Sequence, residues 1–263
     1  MTHDRKTYYL GADLGSSFTK FVVIDDEGHV HFQRTIPTLS RHRELQSQTL
    51  AEIHERFPIA VTCATGYGRQ KFDCDLRKTE LICASAGVSH LHPVEKSIID
   101  IGGEDIKIIE SGPGGEVRHF YMNDKCSAGT GAFITEIAER AELEIEEMSD
   151  LARSSQSSRV INSFCTVFAK TEILGWKFDN VSIEDISRGI YLSIVKRIIK
   201  LPMRDDLPVL MCGGVVAFHP YLCDLLAGEL QTEVQVVENP QYAVALGAAL
   251  LAHRSVAKVV DNN

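Results

Sequence analysis

The chain has 263 residues and a mass of 29.1 kDa, and 44% of its residues are hydrophobic, so it can form one large or two compact domains. Its 27 basic and 36 acidic residues give a net charge of −9, which excludes a chain-wide basic surface for nucleic acid or an anionic membrane. The longest nearly continuous apolar stretch, residues 208–218, is too short to span a bilayer, and the polar N-terminus does not resemble a signal peptide. We therefore expect a soluble cytoplasmic protein that binds neither nucleic acid nor membranes.

The chain contains seven cysteines, and this odd number argues against a disulfide framework. The sequence has no Cys-x-x-Cys pair, which argues against a self-contained zinc ribbon or ferredoxin-type cluster. A metal site in this protein must therefore draw its ligands from distant parts of the chain or from two chains.

In the first third of the chain, apolar strands alternate with turns, and two helical segments follow them. The predicted strands cover residues 8–15, 19–26, 30–37 and 60–64, and the predicted helices cover residues 46–57 and 79–90.

The same pattern then restarts, with predicted strands at residues 97–103, 105–111 and 117–122. In the first set Asp13-x-Gly15 is followed by Lys20, and in the second set Asp100-x-Gly102 is followed by Lys107 at the same spacing. Each Asp-x-Gly turn follows an apolar strand and opens a hairpin. We interpret the two sets as an internal repeat that forms two related α/β units.

Helices dominate the remainder of the sequence. They are predicted at residues 126–142, 165–178 and 182–201, the last with a capping-box pattern that begins at Ser182. A strand at residues 208–212 ends in Gly213-Gly214, and a helix, a strand at residues 232–238 and a final helix from Tyr242 follow.

Three glycine turns follow apolar strands, at Gly15, at Gly102-Gly103 and at Gly213-Gly214. Glycine allows backbone amides to approach a phosphate closely, and acidic residues beside such a turn can hold Mg²⁺ through water. The chain has neither a P-loop nor a Rossmann glycine motif. The duplicated Asp-x-Gly turns and the third glycine pair indicate a nucleotide held between two domains.

These residues carry a family resemblance. The segment Asp13-Leu-Gly-Ser-Ser-Phe-Thr-Lys20 resembles phosphate motif 1 of the actin, sugar kinase and Hsp70 superfamily, and Asp100-Ile-Gly-Gly-Glu-Asp105 resembles phosphate motif 2. The segment Leu210-Met-Cys-Gly-Gly-Val215 is similar to the adenosine motif, and Ala245-Leu-Gly-Ala-Ala249 to the second connecting helix.

That resemblance implies an α/β fold with duplicated ribonuclease H-like domains and the nucleotide in the cleft between them. We expect residues 1–95 to form the first domain, joined by the C-terminal helix at residues 242–263. Residues 96–241 form the second domain, which carries the cluster cysteines and the adenosine motif.

Within the superfamily the resemblance is narrower. The segments Ala64-Thr-Gly-Tyr-Gly-Arg69, Met122-Asn-Asp-Lys-Cys-Ser-Ala-Gly-Thr-Gly131 and Cys165-Thr-Val-Phe-Ala169 resemble signatures of the 2-hydroxyacyl-CoA dehydratase activator family. That family includes ATPase subunits of ATP-dependent benzoyl-CoA reductases and reductases of double-cubane cluster proteins. The resemblance implies an ATPase that couples hydrolysis to single-electron transfer at low potential.

The resemblance also assigns site residues. Asp13, Glu104 and Asp105 are the expected catalytic residues, with Asp13 and Asp105 as candidates for water-mediated contact with Mg²⁺. The expected ATP- and ADP-binding residues are Gly15, Ser16, Ser17, Lys20, Gly102, Gly103, Thr130, Gly131, Gly213, Gly214 and Val215.

Two cysteines are the expected metal ligands. Cys126 and Cys165 are each predicted at the start of a helix in polar surroundings, where unpaired amides favour thiolates. A [4Fe–4S] cluster normally takes four thiolates, so two copies of the chain would share one cluster across a homodimer. The resemblance implies the same arrangement. The other cysteines need no metal role: we expect Cys63, Cys83, Cys212 and Cys223 to be buried and Cys74 to be exposed.

The implied protein receives electrons from ferredoxin or flavodoxin and passes them to an iron–sulfur acceptor protein as ATP is hydrolysed. ATP-driven domain closure would move the helices that hold the cluster. Two alternatives remain open on the sequence: a small-molecule kinase of the same superfamily without a cluster, and a nucleotide-dependent iron–sulfur scaffold or sensor.

Three residues depart from the family pattern. Glu104 stands where glutamine is usual, and its carboxylate would either act as a base toward the attacking water or repel the γ-phosphate. Ala132 stands where arginine is common, and Lys170 where glutamate is common. Because the last two lie near the expected cluster, they leave open whether the acceptor is a 2-hydroxyacyl-CoA dehydratase-like enzyme or a double-cubane cluster protein.

Overall fold

The computed structural model describes residues 6–38, 43–123, 130–163 and 165–260. In chain order the strands are β1 (Tyr8–Leu14), β2 (Phe18–Asp25), β3 (Val30–Pro37), β4 (Ile59–Thr65), β5 (Leu76–Arg77), β6 (Lys96–Ile101), β7 (Ile106–Ser111), β8 (Val117–Met122), β9 (Val209–Cys212) and β10 (Val234–Val236). The helices are α1 (Arg43–Arg56), α2 (Glu80–Leu91), α3 (Gly131–Ala141), α4 (Met148–Ser154), α5 (Thr166–Phe178), α6 (Ile183–Ile198), α7 (Gly214–Phe218), α8 (Tyr221–Leu230) and α9 (Ala243–Val260).

The chain divides into two compact units. Unit 1 comprises Met1–Val94, Ser111–Val117 and Tyr242–Asn263, and unit 2 comprises Glu95–Glu110 and Arg118–Gln241. In this way the last helix returns to the unit that contains the first strands.

The two sheets have the same strand order. One sheet runs β3-β2-β1-β4-β5 and the other runs β8-β7-β6-β9-β10, so each strand of the first has a counterpart in the second. Strand β1 pairs antiparallel with β2 and parallel with β4, and β6 pairs parallel with β9. The duplicated α/β architecture predicted from the sequence is therefore confirmed.

Burial explains which strands are central. Every residue of β6 and all but the first of β1 are buried, as expected for strands covered on both faces. Strand β8 lies at a sheet edge, and five of its six residues are exposed. In unit 1, α9 packs on β1 and α2; a Cβ atom on Gly247 would collide with the backbone of Cys83, so glycine permits this close approach of two helices.

Most predicted elements are present, and the differences have physical causes. Ser182 caps α6 as predicted, since its side chain accepts a hydrogen bond from the Asp185 amide at 3.2 Å. The helix predicted at residues 126–142 is wrong at Thr130, which has extended backbone (φ −105°, ψ 180°), so α3 begins at Gly131; residues 126–129 of that prediction lie outside the described residues. The short helices α4 and α7 and the two-residue strand β5 were not predicted.

None of the helices in the described part of the chain is long and apolar enough to cross a membrane.

Candidate nucleotide and thiol sites

The first Asp-x-Gly turn joins β1 to β2 in unit 1. The register pairs Asp13 with Lys20, and Lys20 Nζ lies 3.1 Å from Asp13 Oδ2, with both side chains largely buried. The Gly15 amide donates to the Phe18 carbonyl at 3.1 Å and closes the turn. Ser17 is exposed. The turn therefore combines a buried ion pair with a solvent-facing tip.

The loop that follows β4 packs against the end of β1, next to this turn. Gly66 has a φ of +87°, and a Cβ atom there would lie 2.5 Å from the Leu14 backbone. The Gly68 amide donates to the Leu14 carbonyl at 3.0 Å, and Thr65 pairs with Asp13 in the parallel register. Residues 64–69, where the sequence indicated a glycine-containing turn and a family signature, thus fix the end of the strand that carries Asp13.

The second Asp-x-Gly turn follows β6 in unit 2. The side chain of Lys107 is only 4% exposed, and its Nζ lies 2.6 Å from Asp105 Oδ1 and 3.8 Å from Asp100 Oδ2. Glu104 is exposed at the tip of the turn. The sequence had indicated Lys107 through its repeat match with Lys20, but had assigned it no role in the site; the structure places it between the two aspartates.

The start of α3 rests on this turn. The Gly131 amide donates to the Gly102 carbonyl at 3.0 Å, and the Ala132 amide donates to the Gly103 carbonyl at 2.8 Å. Thr130, which precedes them, is fully buried. The first turn of the helix is thereby fixed to the backbone of the glycine turn.

The third glycine turn, after β9, packs against the second turn and the start of α3. Gly213 has a φ of +101°, and a Cβ atom there would lie 2.6 Å from Asp100 Oδ1 and still closer to the Ile101 carbonyl. The side chain of Val215 lies 3.2 Å from where a Cβ of Gly131 would be. A side chain at Gly214 would meet nothing within 4 Å. The structure therefore brings together the predicted site residues of unit 2 on both glycine turns and at the start of α3.

One of the two expected metal ligands is described. Cys165 is exposed and is the N-cap of α5, with extended backbone, as predicted. Cys126 lies outside the described residues, as do its neighbours from 124 to 129. An exposed thiol at a helix start is accessible to a metal ion. Within the described ranges, no single-chain group of three or more metal-ligating side chains is present.

The other cysteines lack that environment. Cys63, Cys83, Cys212 and Cys223 are buried, as predicted. Burial raises the pKa of Cys223 to about 12, and the pKa of Cys83 is raised by its hydrogen bond with Cys63 and by burial. The expectation that Cys74 is exposed was wrong, because it is half-buried against the unit 1 core and its thiol contacts the Phe72 carbonyl at 3.6 Å.

Two of the departures from the family pattern lie on α3 and α5. Lys170 Nζ of α5 lies 2.6 Å from Glu136 Oε2 of α3, and both side chains are substantially exposed. Such surface pairs contribute about 0–1 kcal/mol, so this pair affects surface charge more than stability. Ala132 is the second residue of α3 and is half-buried.

Two sheets of identical order, each with an acidic glycine turn beside a lysine, define a duplicated α/β ATPase fold of the actin and sugar kinase type. At the level of fold alone, the chain resembles MreB5 of Spiroplasma citri bound to ADP, with a TM-score of 0.59 and 12% identity over 99% of both chains. More specifically, the chain belongs to the BadF/BadG/BcrA/BcrD ATPase family, whose model matches residues 10–252.

Relatives of higher identity match along nearly their whole length. The activator of lactoyl-CoA dehydratase from Anaerotignum propionicum is 36% identical over 258 residues, 95% of this chain and 99% of that protein. The crystal structure of (R)-2-hydroxyglutaryl-CoA dehydratase component A from Acidaminococcus fermentans matches with a TM-score of 0.88 and 32% identity, covering 95% of this chain and 99% of that one. The activator of 2-hydroxyisocaproyl-CoA dehydratase from Clostridium difficile, with bound ADPNP, matches with a TM-score of 0.85 and 33% identity, covering 97% and 98%.

Proposed function

We propose that this ATPase is a reductive activator. Two copies share one [4Fe–4S] cluster, and ATP hydrolysis is coupled to the transfer of single low-potential electrons to an iron–sulfur partner enzyme. The observation that carries the proposal is the exposed Cys165 at the N-cap of α5, on an ATPase whose relatives are named as dehydratase activators. A small-molecule kinase has no use for this thiol.

ATP and ADP bind through the glycine turns. Gly15 and Gly102 close the two turns with their own amides, the backbone amides of Ser16, Ser17 and Gly103 face the phosphates, and Lys20 supplies positive charge. Thr130, Gly131, Gly213, Gly214 and Val215 lie by the rest of the nucleotide. The open space at Gly214 and the exposed tip of the first turn support this assignment.

Hydrolysis depends on positioning and charge. Asp13 and Asp105 hold Mg²⁺ through water, and the neighbouring Lys20 and Lys107 keep both carboxylates oriented. Glu104 is exposed next to Asp105, where a carboxylate repels the γ-phosphate. Glu104 therefore weakens ATP binding relative to a glutamine at the same position.

Cys126 and Cys165 of each copy hold the cluster. Two cysteines per chain fit a group that needs four thiolate ligands, and the thiol of Cys165 is exposed. The cluster held by these residues would supply one-electron transfer between ferredoxin or flavodoxin and the partner enzyme.

The partner is a 2-hydroxyacyl-CoA dehydratase-like enzyme or a double-cubane cluster protein. Relatives named as activators of lactoyl-CoA and 2-hydroxyisocaproyl-CoA dehydratases support the first. A relative from Thauera aromatica that is named as part of benzoyl-CoA reductase, 28% identical over 173 residues, supports the broader reductive role. The Lys170–Glu136 pair places a lysine on the surface of α5 where relatives commonly have a glutamate, so the partner meets a different charge there. We place the protein in the cytoplasm of an anaerobic cell.

The test is a redox titration of the anaerobically isolated protein, followed by electron paramagnetic resonance with and without MgATP. The proposal predicts a one-electron iron–sulfur signal whose midpoint potential falls with nucleotide. A fall on the order of 180 mV corresponds to about 4 kcal/mol of differential nucleotide binding.

The control is Cys74→Ala, which removes a half-buried thiol outside the site and retains the signal. The same potential with and without MgATP would favour a scaffold or sensor. A signal-free protein that hydrolyses ATP would favour a kinase.

A further inference from the structure

The segment before Cys165 is held by the helix that follows it. Glu172, two turns into α5, accepts hydrogen bonds from the Asn162 amide at 3.0 Å, the Ser163 amide at 3.1 Å and the Ser163 hydroxyl at 2.9 Å. One carboxylate thus ties two residues of the segment to α5. Ser163 is fixed two positions before the exposed thiol.

The opposite side of Ser163 is held by α6. Arg197 Nη2 donates to the Ser163 carbonyl at 2.9 Å, and Arg197 Nη1 donates to the carbonyl and hydroxyl of Ser193 at 2.9 and 3.0 Å. With its amide, hydroxyl and carbonyl all engaged, Ser163 cannot shift unless Arg197 or Glu172 shifts with it.

Arg197 also contacts the helix that starts on the glycine turn. Its guanidinium carbon lies 4.7 Å from the centroid of the Phe133 ring, and Phe133 is fully buried as the third residue of α3. The two residues before Phe133 donate their amides to Gly102 and Gly103. A continuous set of contacts therefore runs from the glycine turn through Phe133 and Arg197 to Ser163.

We propose that Arg197 is a positioning residue that transmits movement of the Gly102-Gly103 turn toward Cys165, and that Glu172 keeps Asn162 and Ser163 attached to α5 as this happens. The proposal rests on the proposed function, which assigns nucleotide phosphate to that turn and a metal to that thiol. Lysine cannot replace Arg197, because its compact ammonium lacks the planar guanidinium face that stacks on the Phe133 ring while the forked N–H groups reach Ser163 and Ser193.

The test measures how fast a ferrous chelator removes iron from the full-chain protein as isolated anaerobically, with and without the magnesium complex of a non-hydrolysable ATP analogue. Affinity for the analogue is measured separately by titration. In the wild type we expect the analogue to change the rate on the order of tenfold, within the usual range of coupling between sites. In Arg197→Lys the change falls below about twofold while the affinity is retained.

The matched control is Arg188→Lys. Arg188 lies on the same helix and donates to the Ser157 carbonyl at 3.0 Å and to the Tyr221 hydroxyl. Arg188 contacts the same connecting segment at a position farther from Cys165. We therefore expect Arg188→Lys to retain the wild-type response to the analogue. Phe133→Leu, which leaves the polar contacts of Arg197 in place, also reduces the response and serves if Arg197→Lys does not fold.

A full nucleotide response in Arg197→Lys or, where that variant does not fold, in Phe133→Leu overturns the proposal. So does an equal loss in Arg188→Lys, which indicates general loosening of the segment, and so does a wild type that binds the analogue without any change in rate. An iron-free wild type overturns the proposed function instead; the alkylation rate of Cys165 then replaces iron removal and is judged by the same outcomes.

Discussion

Lys20 Nζ lies 3.1 Å from Asp13 Oδ2 across the β1–β2 register, with side chains that are 16% and 9% exposed. In the corresponding hairpin of unit 2, Lys107 lies 2.6 Å from Asp105 and 3.8 Å from Asp100. Each repeat thus pairs the carboxylate of its Asp-x-Gly turn with a lysine from the next strand. This pairing orients an acid that would otherwise carry an uncompensated buried charge.

Replacing Lys20 with methionine should lower the kcat/KM for ATP hydrolysis about a hundredfold, the usual cost of removing one charge-stabilising donor. Lys177→Met, which removes a surface lysine paired with Glu142, should leave hydrolysis unchanged. Steady-state phosphate release measures both. Equal rates for Lys20→Met and the wild type would exclude Lys20 from the site.

Replacing Gly213 with alanine should destabilise the protein by more than about 2 kcal/mol, because a Cβ at φ +101° collides with Asp100 and Ile101. Gly214→Ala is the matched control, since a Cβ there meets nothing within 4 Å and should change stability by less than about 0.5 kcal/mol. Urea unfolding of the two variants distinguishes them. Similar stabilities would contradict the packing of the third glycine turn.

Stability should fall in acid because of His219. Burial lowers the pKa of His219 from 6.5 to about 4, and its Nδ1 lies 2.7 Å from the hydroxyl of the buried Tyr191. Between pH 6.5 and 4 the unfolded chain therefore binds a proton at His219 that the folded protein does not. The contribution of neutral His219 to the free energy of unfolding is thus fully present above pH 6.5 and is lost as the pH falls toward 4. The loss from pH 7.5 to pH 5 should be about 2 kcal/mol.

Urea unfolding at the two pH values, for the wild type and for His219→Asn, isolates that contribution. The variant should be less stable at pH 7.5 but should lose about 2 kcal/mol less on acidification. Parallel losses in both proteins would show that His219 titrates normally in the folded state.

Replacing Glu104 with glutamine should lower the KM for ATP up to about fivefold, since it removes roughly 1 kcal/mol of repulsion in water. The kcat should not fall, because a solvated carboxylate is a weak general base. Glu139→Gln, at another exposed position of unit 2, is the control. A large fall in kcat for Glu104→Gln would instead identify Glu104 as the base.

The sequence predicted the strands and the glycine turns because their signals are local: apolar runs such as β1 and β6 end at Asp-x-Gly. It placed Thr130 inside the predicted helix, whereas Thr130 is buried and has extended backbone before α3; the glycine at position 129 was the local signal for a later helix start. It missed the short helix α4, which has too few residues to show a period. The contacts of Arg197 with Ser163 and Phe133 join residues 34 and more positions apart, and no sequence period reports them.

The central claim is that the thiol of Cys165 holds a cluster shared by two copies. Its most direct test is the iron and sulfide content per dimer of anaerobically purified wild type, Cys165→Ala and Cys74→Ala. We predict about four iron and four sulfide per dimer in the wild type and in Cys74→Ala, and loss of both in Cys165→Ala together with the brown colour. A colourless, iron-free wild type that still hydrolyses ATP, or a Cys165→Ala variant with full iron content, would contradict the account.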